Sequence, residues 1–175
     1  MSVDAGVPLA MAEQVAQAIV HELAYGCMRI EVAGSVRRRR PQVHDLELVA
    51  VPRITQEPSG DLFGTLREVD QLAVCLALLK SERRLVPHPE RPADGPKYKR
   101  LWATKAGLQV DLFIVRPPAE FGPIFAIRTG PAEFSQDLVW ALRRGGWRCE
   151  DGRVLAVGAE TLVPRAAVKV LPVLP

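Results

Sequence analysis

The sequence predicts an α+β fold, a mixed β-sheet backed by helices with a small C-terminal subdomain. Three observations carry that expectation. Val15, Ile19 and Leu23 recur every four positions, as on one face of an amphipathic helix. Apolar runs at 45–51 and 110–115 have strand length, and each is soon followed by proline. Gly130-Pro131 opens and Gly145-Gly146 closes a segment with Glu133 near its start and Arg143-Arg144 at its end, the marks of a capped helix.

In chain order, a helix over 8–25 is ended by Gly26, and Met28-Arg29-Ile30-Glu31-Val32-Ala33 alternates towards a strand before a Gly34-Ser35 turn. A basic loop leads to a second strand that stops at Pro52. Residues 53–60, with Pro58, Ser59 and Gly60, read as a loop. Leu62, Leu66, Val69, Leu72, Leu76 and Leu79 then predict a long helix over 61–80. Four prolines and a glycine in 86–96 predict a loop or a mobile flap. A short strand over 98–104, a turn at Ala106-Gly107 and a strand over 110–115 closed by Pro117-Pro118 come next. After the helix over 131–144, a hairpin around Glu150-Asp151-Gly152 leads into a tail punctuated by proline.

At 175 residues and 48% hydrophobic content the chain suits one packed domain. Lys and Arg number 23 against 20 Asp and Glu, which excludes a generic polycationic coat, so any anion site must be local. Cys27, Cys75 and Cys149 are an odd, widely spaced set that fits neither a disulfide framework nor a paired-cysteine zinc site, and a reducing compartment is the default. No apolar run approaches the roughly 20 residues of a membrane helix, and the N-terminus lacks a basic start. A cytoplasmic or nucleoid-associated, non-secreted protein without a membrane partner is expected.

Asp45 and Glu47 flank Leu46 at the start of a strand, so alternation points both to one face. Asp111 is embedded in the most hydrophobic strand, where an unpaired carboxylate is costly or becomes protonated. Taken singly, an exposed face explains the first two, and an edge position or an arginine partner explains the third. Taken together, three carboxylates from neighbouring strands are what hard divalent ions such as Mg²⁺ need. Two such ions about 3.5–4 Å apart can hold the attacking and leaving oxygens of a phosphoryl transfer. Gly34-Ser35 followed by Arg37, Arg38, Arg39 and Arg40 adds a turn whose N–H groups can approach a phosphate and arginine forks to neutralise it.

The stretch Val32-Ala33-Gly34-Ser35-Val36-Arg37-Arg38 through Asp45-Leu46-Glu47-Leu48-Val49 resembles the Gly-Ser-x-Arg-Arg … Asp-x-Asp block of the nucleotidyltransferase superfamily, and within it the polymerase X family typified by DNA polymerase beta. Val110-Asp111-Leu112-Phe113 resembles that family's third-carboxylate strand, and Phe121-Gly122 to Thr129-Gly130 the approach to its Thr-Gly turn. The resemblance implies a nucleotidyltransferase palm over 1–125 and a thumb-like subdomain over 126–175, as in the smallest viral and phage-encoded members. No N-terminal lyase domain is expected, since 33 residues precede Gly34. It implies Asp45, Glu47 and Asp111 as catalytic metal ligands for two Mg²⁺ ions, with Mn²⁺ as a substitute. Asp111 would stand nearest the primer 3′-hydroxyl. Gly34, Ser35, Arg38, Arg128, Thr129, Gly130 and Ser135 would bind the nucleotide, and Arg39, Arg40, Lys97, Lys99, Arg100, Arg143 and Arg144 the DNA. The activity implied is Mg²⁺-dependent addition of dNMP from dNTP to a primer 3′-hydroxyl on a primer-template or gapped DNA, as in repair synthesis, by a monomer.

Four departures stand out. Glu47 replaces the usual second Asp. Ile127-Arg128 stand where many members have Tyr-Phe, Ser135 stands where an asparagine is frequent, and the thumb after Gly146 is short.

The charge distribution agrees independently. Residues 80–105 carry eight Lys and Arg against three acids, and residues 143–175 carry six against three. Tyr98, Trp102, Trp140 and Trp147 are candidates for stacking on a base, although core packing is the better use for Trp140. His21-Glu22 lacks the second histidine of a metalloprotease helix, and His44 is read as structural. Two rival readings share these motifs: a template-independent or small-substrate nucleotidyltransferase, and a catalytically idle nucleotidyltransferase-like antitoxin or binding module.

Overall fold

A computed structural model describes residues 6–60, 64–116, 121–150 and 152–157. It opens with β1 (Val7–Pro8), α1 (Leu9–Ala24), β2 (Cys27–Val32), the one-turn α2 (Gly34–Arg37), β3 (Gln42–Val43) and β4 (Asp45–Pro52). Then come β5 (Ile54–Pro58), β6 (Leu66–Asp70), α3 (Gln71–Ser81), β7 (Leu85–Pro87), β8 (Ala93–Asp94), β9 (Tyr98–Ala103) and β10 (Leu108–Ile114). The chain closes with α4 (Phe121–Thr129), α5 (Ala132–Arg144), β11 (Trp147–Glu150) and β12 (Arg153–Ala156). The main sheet runs β2-β4-β10-β9-β7, with β8 also paired to β9. Its β4–β10 pair is parallel and the others antiparallel, so the expected mixed sheet backed by helices is present.

Alternation along the strands divides this sheet into two unlike faces. Leu46, Leu48 and Ala50 of β4 join Val110, Leu112 and Ile114 of β10 and Leu101 and Ala103 of β9 in one cluster. Against it pack Ala12, Ala16, Ile19 and Leu23 of α1 and Leu72, Leu76 and Leu79 of α3. Burying each such Leu or Ile contributes about 1.5–3 kcal/mol, and that face sets the position of everything on the other. The opposite face carries Val49, Phe113 and Val115, covered by Phe121, Ile124 and Phe125 of α4. Gly26 lets the α1–β2 turn press on the start of α3, since a Cβ there would come within 2.6 Å of the Gln71 carbonyl oxygen.

Several local expectations are corrected. Residues 66–70 do not continue a helix from 61; they pair antiparallel with Ile54–Pro58, which was expected to be loop. The helix starts at Gln71 because Asp70 Oδ1 accepts from the Ala73 N–H at 3.0 Å, an N-cap. Leu66 is exposed, while Leu72, Leu76 and Leu79 are buried. The expected flap at 86–96 is tied to the sheet through β7 and β8. Between them His88, 1% exposed, accepts the Glu90 and Arg91 N–H groups on Nδ1 and stands edge-on to Trp102. Residues 121–129, read as an approach segment, form a full helix that contains residues 125 and 126. Trp140 is not in the core. Pro117-Pro118, Asp151 and the tail from 158 lie outside the described residues. Among the described residues, no helix is long and apolar enough to cross a membrane.

Candidate active site

The polar face of the sheet is set by register. On β4, Asp45 and Glu47 occupy alternate positions facing away from α1 and α3, and on β10 Gln109 stands opposite Asp45 and Asp111 opposite Glu47. On the far side of β10, Trp102 stands opposite Gln109 and Arg100 opposite Asp111. Paired residues of adjacent strands share a face, so Asp45, Glu47 and Asp111 are brought together on one side.

Asp111 is 6% exposed and its carboxylate is fully engaged. Tyr98 Oη donates to Oδ1 at 2.6 Å, Arg100 Nε donates to the same oxygen at 3.1 Å, and Gln109 Nε2 donates to Oδ2 at 3.0 Å. Burial, and then the hydrogen bond to Asp111, push the Tyr98 hydroxyl up to about 12. The same carboxylate raises Arg100 further above its ordinary value. Asp45 and Glu47 lack such compensation. Burial first, and then the neighbouring Asp111, raise Asp45; burial and then Asp45 push Glu47 up to about 7, with Arg128 opposing.

The Gly34-Ser35 segment folds as α2 directly against β4. The Ala33 N–H donates to the Glu47 carbonyl at 2.8 Å, and Ser35 Oγ reaches the Asp45 carbonyl at 3.5 Å. Gly34 has φ +60°, and a Cβ there would run into the Glu47 carboxylate, so no other residue suits the position. Arg38 turns away from open solvent: Nη1 donates to the Thr129 and Gly130 carbonyls at 2.5 and 3.2 Å, joining α2 to the α4–α5 corner. Its Nε and the Thr129 hydroxyl are buried without a hydrogen-bond partner among the described residues. Arg39 and Arg40 are exposed.

At that corner a Cβ on Gly130 would overlap the Phe134 ring. Ser135 Oγ donates to the Ile127 carbonyl at 2.6 Å and so braces α5 against α4. The Arg128 guanidinium lies 4.0 Å above the Phe113 ring. A cavity of about 790 Å³ runs from Glu47 and Asp111 past Lys97, Arg116 and Arg128 to Arg153 of the C-terminal hairpin. Of the basic residues singled out for DNA, Lys97 lines this cavity, Lys99 is held by Asp94 and Arg100 by Asp111. Arg143 lies over Trp140, and Arg144 is exposed. Arg100 is the arginine partner that the sequence offered as one reading of Asp111, whereas Tyr98 and Gln109 were not foreseen; the signal was the alternate spacing of Tyr98 and Arg100 on β9 and of Gln109 and Asp111 on β10.

In donor type the face fits a hard divalent cation: three carboxylates, with burial and crowding raising two of them as a missing positive charge would. Among the described residues no group of three or more His, Cys, Asp or Glu side chains is gathered at ligand spacing. Asp111 is turned to Arg100 and Tyr98 instead.

No protein-family model matches the chain, and no curated protein matches it. Solved structures do. The chain is similar to Leishmania infantum polymerase beta in its ternary P/T complex, with TM-score 0.64 and 16% identity over 90% of this chain and 60% of that one. It is also similar to the same polymerase in its ternary gap complex, with TM-score 0.66 and 15% identity over 90% of this chain and 53% of that one. This likeness shows a polymerase beta-like fold in a chain that spans little more than half the length of those polymerases.

Proposed function

We propose that the chain is a Mg²⁺-dependent nucleotidyltransferase that adds dNMP from dNTP to the 3′-hydroxyl of a DNA primer on a templated or gapped substrate. The observation that carries this reading is the convergence of Asp45, Glu47 and Asp111 on one sheet face beside the Gly34-Ser35 turn. Asp45, Glu47 and Asp111 would hold the ions. Bound there, Mg²⁺ supplies neutralisation of the triphosphate and of the attacking and leaving oxygens.

The remaining work falls to the protein's own groups. The α2 backbone and Ser35 orient the β- and γ-phosphates, and Arg38, seated between α2 and Thr129-Gly130, sets the distance from the phosphate turn to the sugar. Asp111 takes the proton of the primer 3′-hydroxyl on a carboxylate oxygen. The 3′-oxygen forms the new bond to the α-phosphorus as the α–β anhydride bond breaks and pyrophosphate leaves. Arg128 offers positive charge beside Glu47, and Ser135 steadies α5 beneath the nascent pair. Arg39, Arg40, Lys97, Arg143 and Arg144 are assigned to DNA phosphates, whereas Lys99 and Arg100 serve the protein's own carboxylates. Catalysis is positioning and charge neutralisation.

Pyrophosphate release is measured with purified protein, Mg²⁺, dNTPs and a one-nucleotide gapped duplex. Incorporation that follows the template base supports the reading. Incorporation indifferent to the template assigns a template-independent transferase, and no release with wild-type protein leaves a binding module. Loss of incorporation in a folded Asp111→Ala protein places the third carboxylate in the reaction; retained activity removes that assignment.

A further inference from the structure

No residue of α5 is buried, and large apolar side chains stand out from it and from the strand that follows. Trp140 is 57% exposed, Phe134 49% and Trp147 36%. Side chains of this size ordinarily fill cores, yet two of the three tryptophans in the chain lie on this surface. From the second half of α5 into the following strand the charge is of one sign: residues 138–149 hold Arg143, Arg144 and Arg148 and no acid. All three arginines are exposed, and the Arg143 guanidinium lies 5.7 Å from the centre of the Trp140 ring. The nearby acids are Glu133 and Asp137 in the first half of α5, and Glu150, which pairs with Arg148 at 3.3 Å.

An exposed indole rimmed by arginines suits unpaired bases on a polyanionic strand: the ring offers a face to stack on, and the guanidinium groups neutralise phosphates. Paired DNA hides its base faces within the stack, so a duplex gives an indole nothing to stack on along its length. Position supports the same occupant. Cys149, Gly152 and Arg153, on the hairpin that follows α5, line the cavity that begins at Glu47 and Asp111. A strand leaving that cavity therefore meets the hairpin next and α5 beyond it.

We propose that Trp140 and Trp147, with Arg143 and Arg144, form a docking surface for a single-stranded stretch of DNA. That the strand is DNA rests on the polymerase-like reading of the site; the binding itself needs none of the carboxylates. The test uses the full chain and a fluorescein-labelled oligothymidylate, read by anisotropy and by quenching of tryptophan fluorescence. Wild-type protein binds and is quenched. Trp140→Ala weakens binding roughly tenfold or more, and Trp140→Phe, which keeps a ring, restores most of it. Losing Arg143 and Arg144 together shallows the salt dependence by roughly 0.7 per contact. Affinity for a blunt duplex of matched sequence is the same in wild type and Trp140→Ala.

Equal oligothymidylate binding by wild type and a folded Trp140→Ala would overturn the proposal. So would an equal loss on single-stranded and duplex DNA. A dimer in solution that Trp140→Ala dissociates would overturn it too, by giving the patch to a second copy. The two readings fail separately. Binding and quenching by a wild-type protein that releases no pyrophosphate, unchanged in Asp111→Asn, keep the docking surface and discard the transferase. Templated incorporation with Trp140-independent binding does the reverse.

Discussion

Arg100 and Asp111 stand opposite one another across the β9–β10 pair and join as an ion pair, Nε to Oδ1 at 3.1 Å, on the face that also carries Glu47. Tyr98 and Gln109 complete the set of donors around the carboxylate. Asp111 is the one carboxylate of the three with full compensation from the protein, and that explains how an acid can sit within an apolar strand. Burial and Asp45 together raise Glu47, and the nearby Arg128 opposes that rise only in part.

Replacing Arg100 with glutamine should uncover that cost. Asp111 would keep Tyr98 and Gln109 but lose its counter-charge. A semi-buried pair broken on one side destabilises by about 1–3 kcal/mol, less than a fully buried one. Urea unfolding at neutral pH measures it, and an unchanged midpoint would show the pair to be idle.

Gly34→Ala should damage both backbone and site. A left-handed conformation costs an L-residue about 1–2 kcal/mol, and the added Cβ displaces the Glu47 carboxylate. The variant is expected to melt several degrees lower and to lose most pyrophosphate release, while Gly60→Ala, where a Cβ meets nothing within 4 Å, keeps its activity.

Glu47 makes stability depend on pH in a defined direction. Its folded value, about 7, lies above the ordinary 4.5, so the folded state holds this proton more tightly than the unfolded chain does. Its contribution is complete below about 4.5 and is lost as pH rises towards and through 7. Glu47→Gln should flatten that slope and stabilise the protein at pH 8 by about 1 kcal/mol, below the 1.36 kcal/mol per pKa unit because solvent still reaches the group. Thermal melts across the window test it. A wild-type curve that rises between pH 5 and 7 and is unchanged by the substitution would contradict the assignment.

Arg38→Ala removes the bonds that tie α2 to the carbonyls of Thr129 and Gly130. Hydrogen exchange in α5 should quicken, and the nucleotide KM should rise more than kcat falls. A kcat effect alone, with unchanged exchange, would separate Arg38 from both roles.

Much of this was legible because two faces of one sheet leave a period-two trace. Leu46, Leu48 and Leu112 mark the helix side, and Asp45, Glu47 and Asp111 mark the other, so the convergence of the acids could be anticipated. The β5–β6 hairpin could not be read, because Leu66 and Val69 happen to fall in helical phase with Leu72 and Leu76. The signal against a continuous helix was Asp70, three residues before the N–H that it caps. Helix α4 hid behind Gly122-Pro123, residues that read as loop although proline is tolerated in a first turn. Arg100 was assigned to DNA because sequence records its charge and not its neighbour across the ladder.

Residues 104–107 form a four-residue turn between β9 and β10, with Gly107 at φ +62° and its N–H on the Ala103 carbonyl at 2.9 Å. A slip of β10 by a single residue against β9 would turn it over by half its period. Leu112 would then surface among the acids and Asp111 would be driven into hydrocarbon. Natural variants of this chain should therefore keep Asp111 opposite Arg100 and Glu47, taking up any change in the length of that loop within the turn itself.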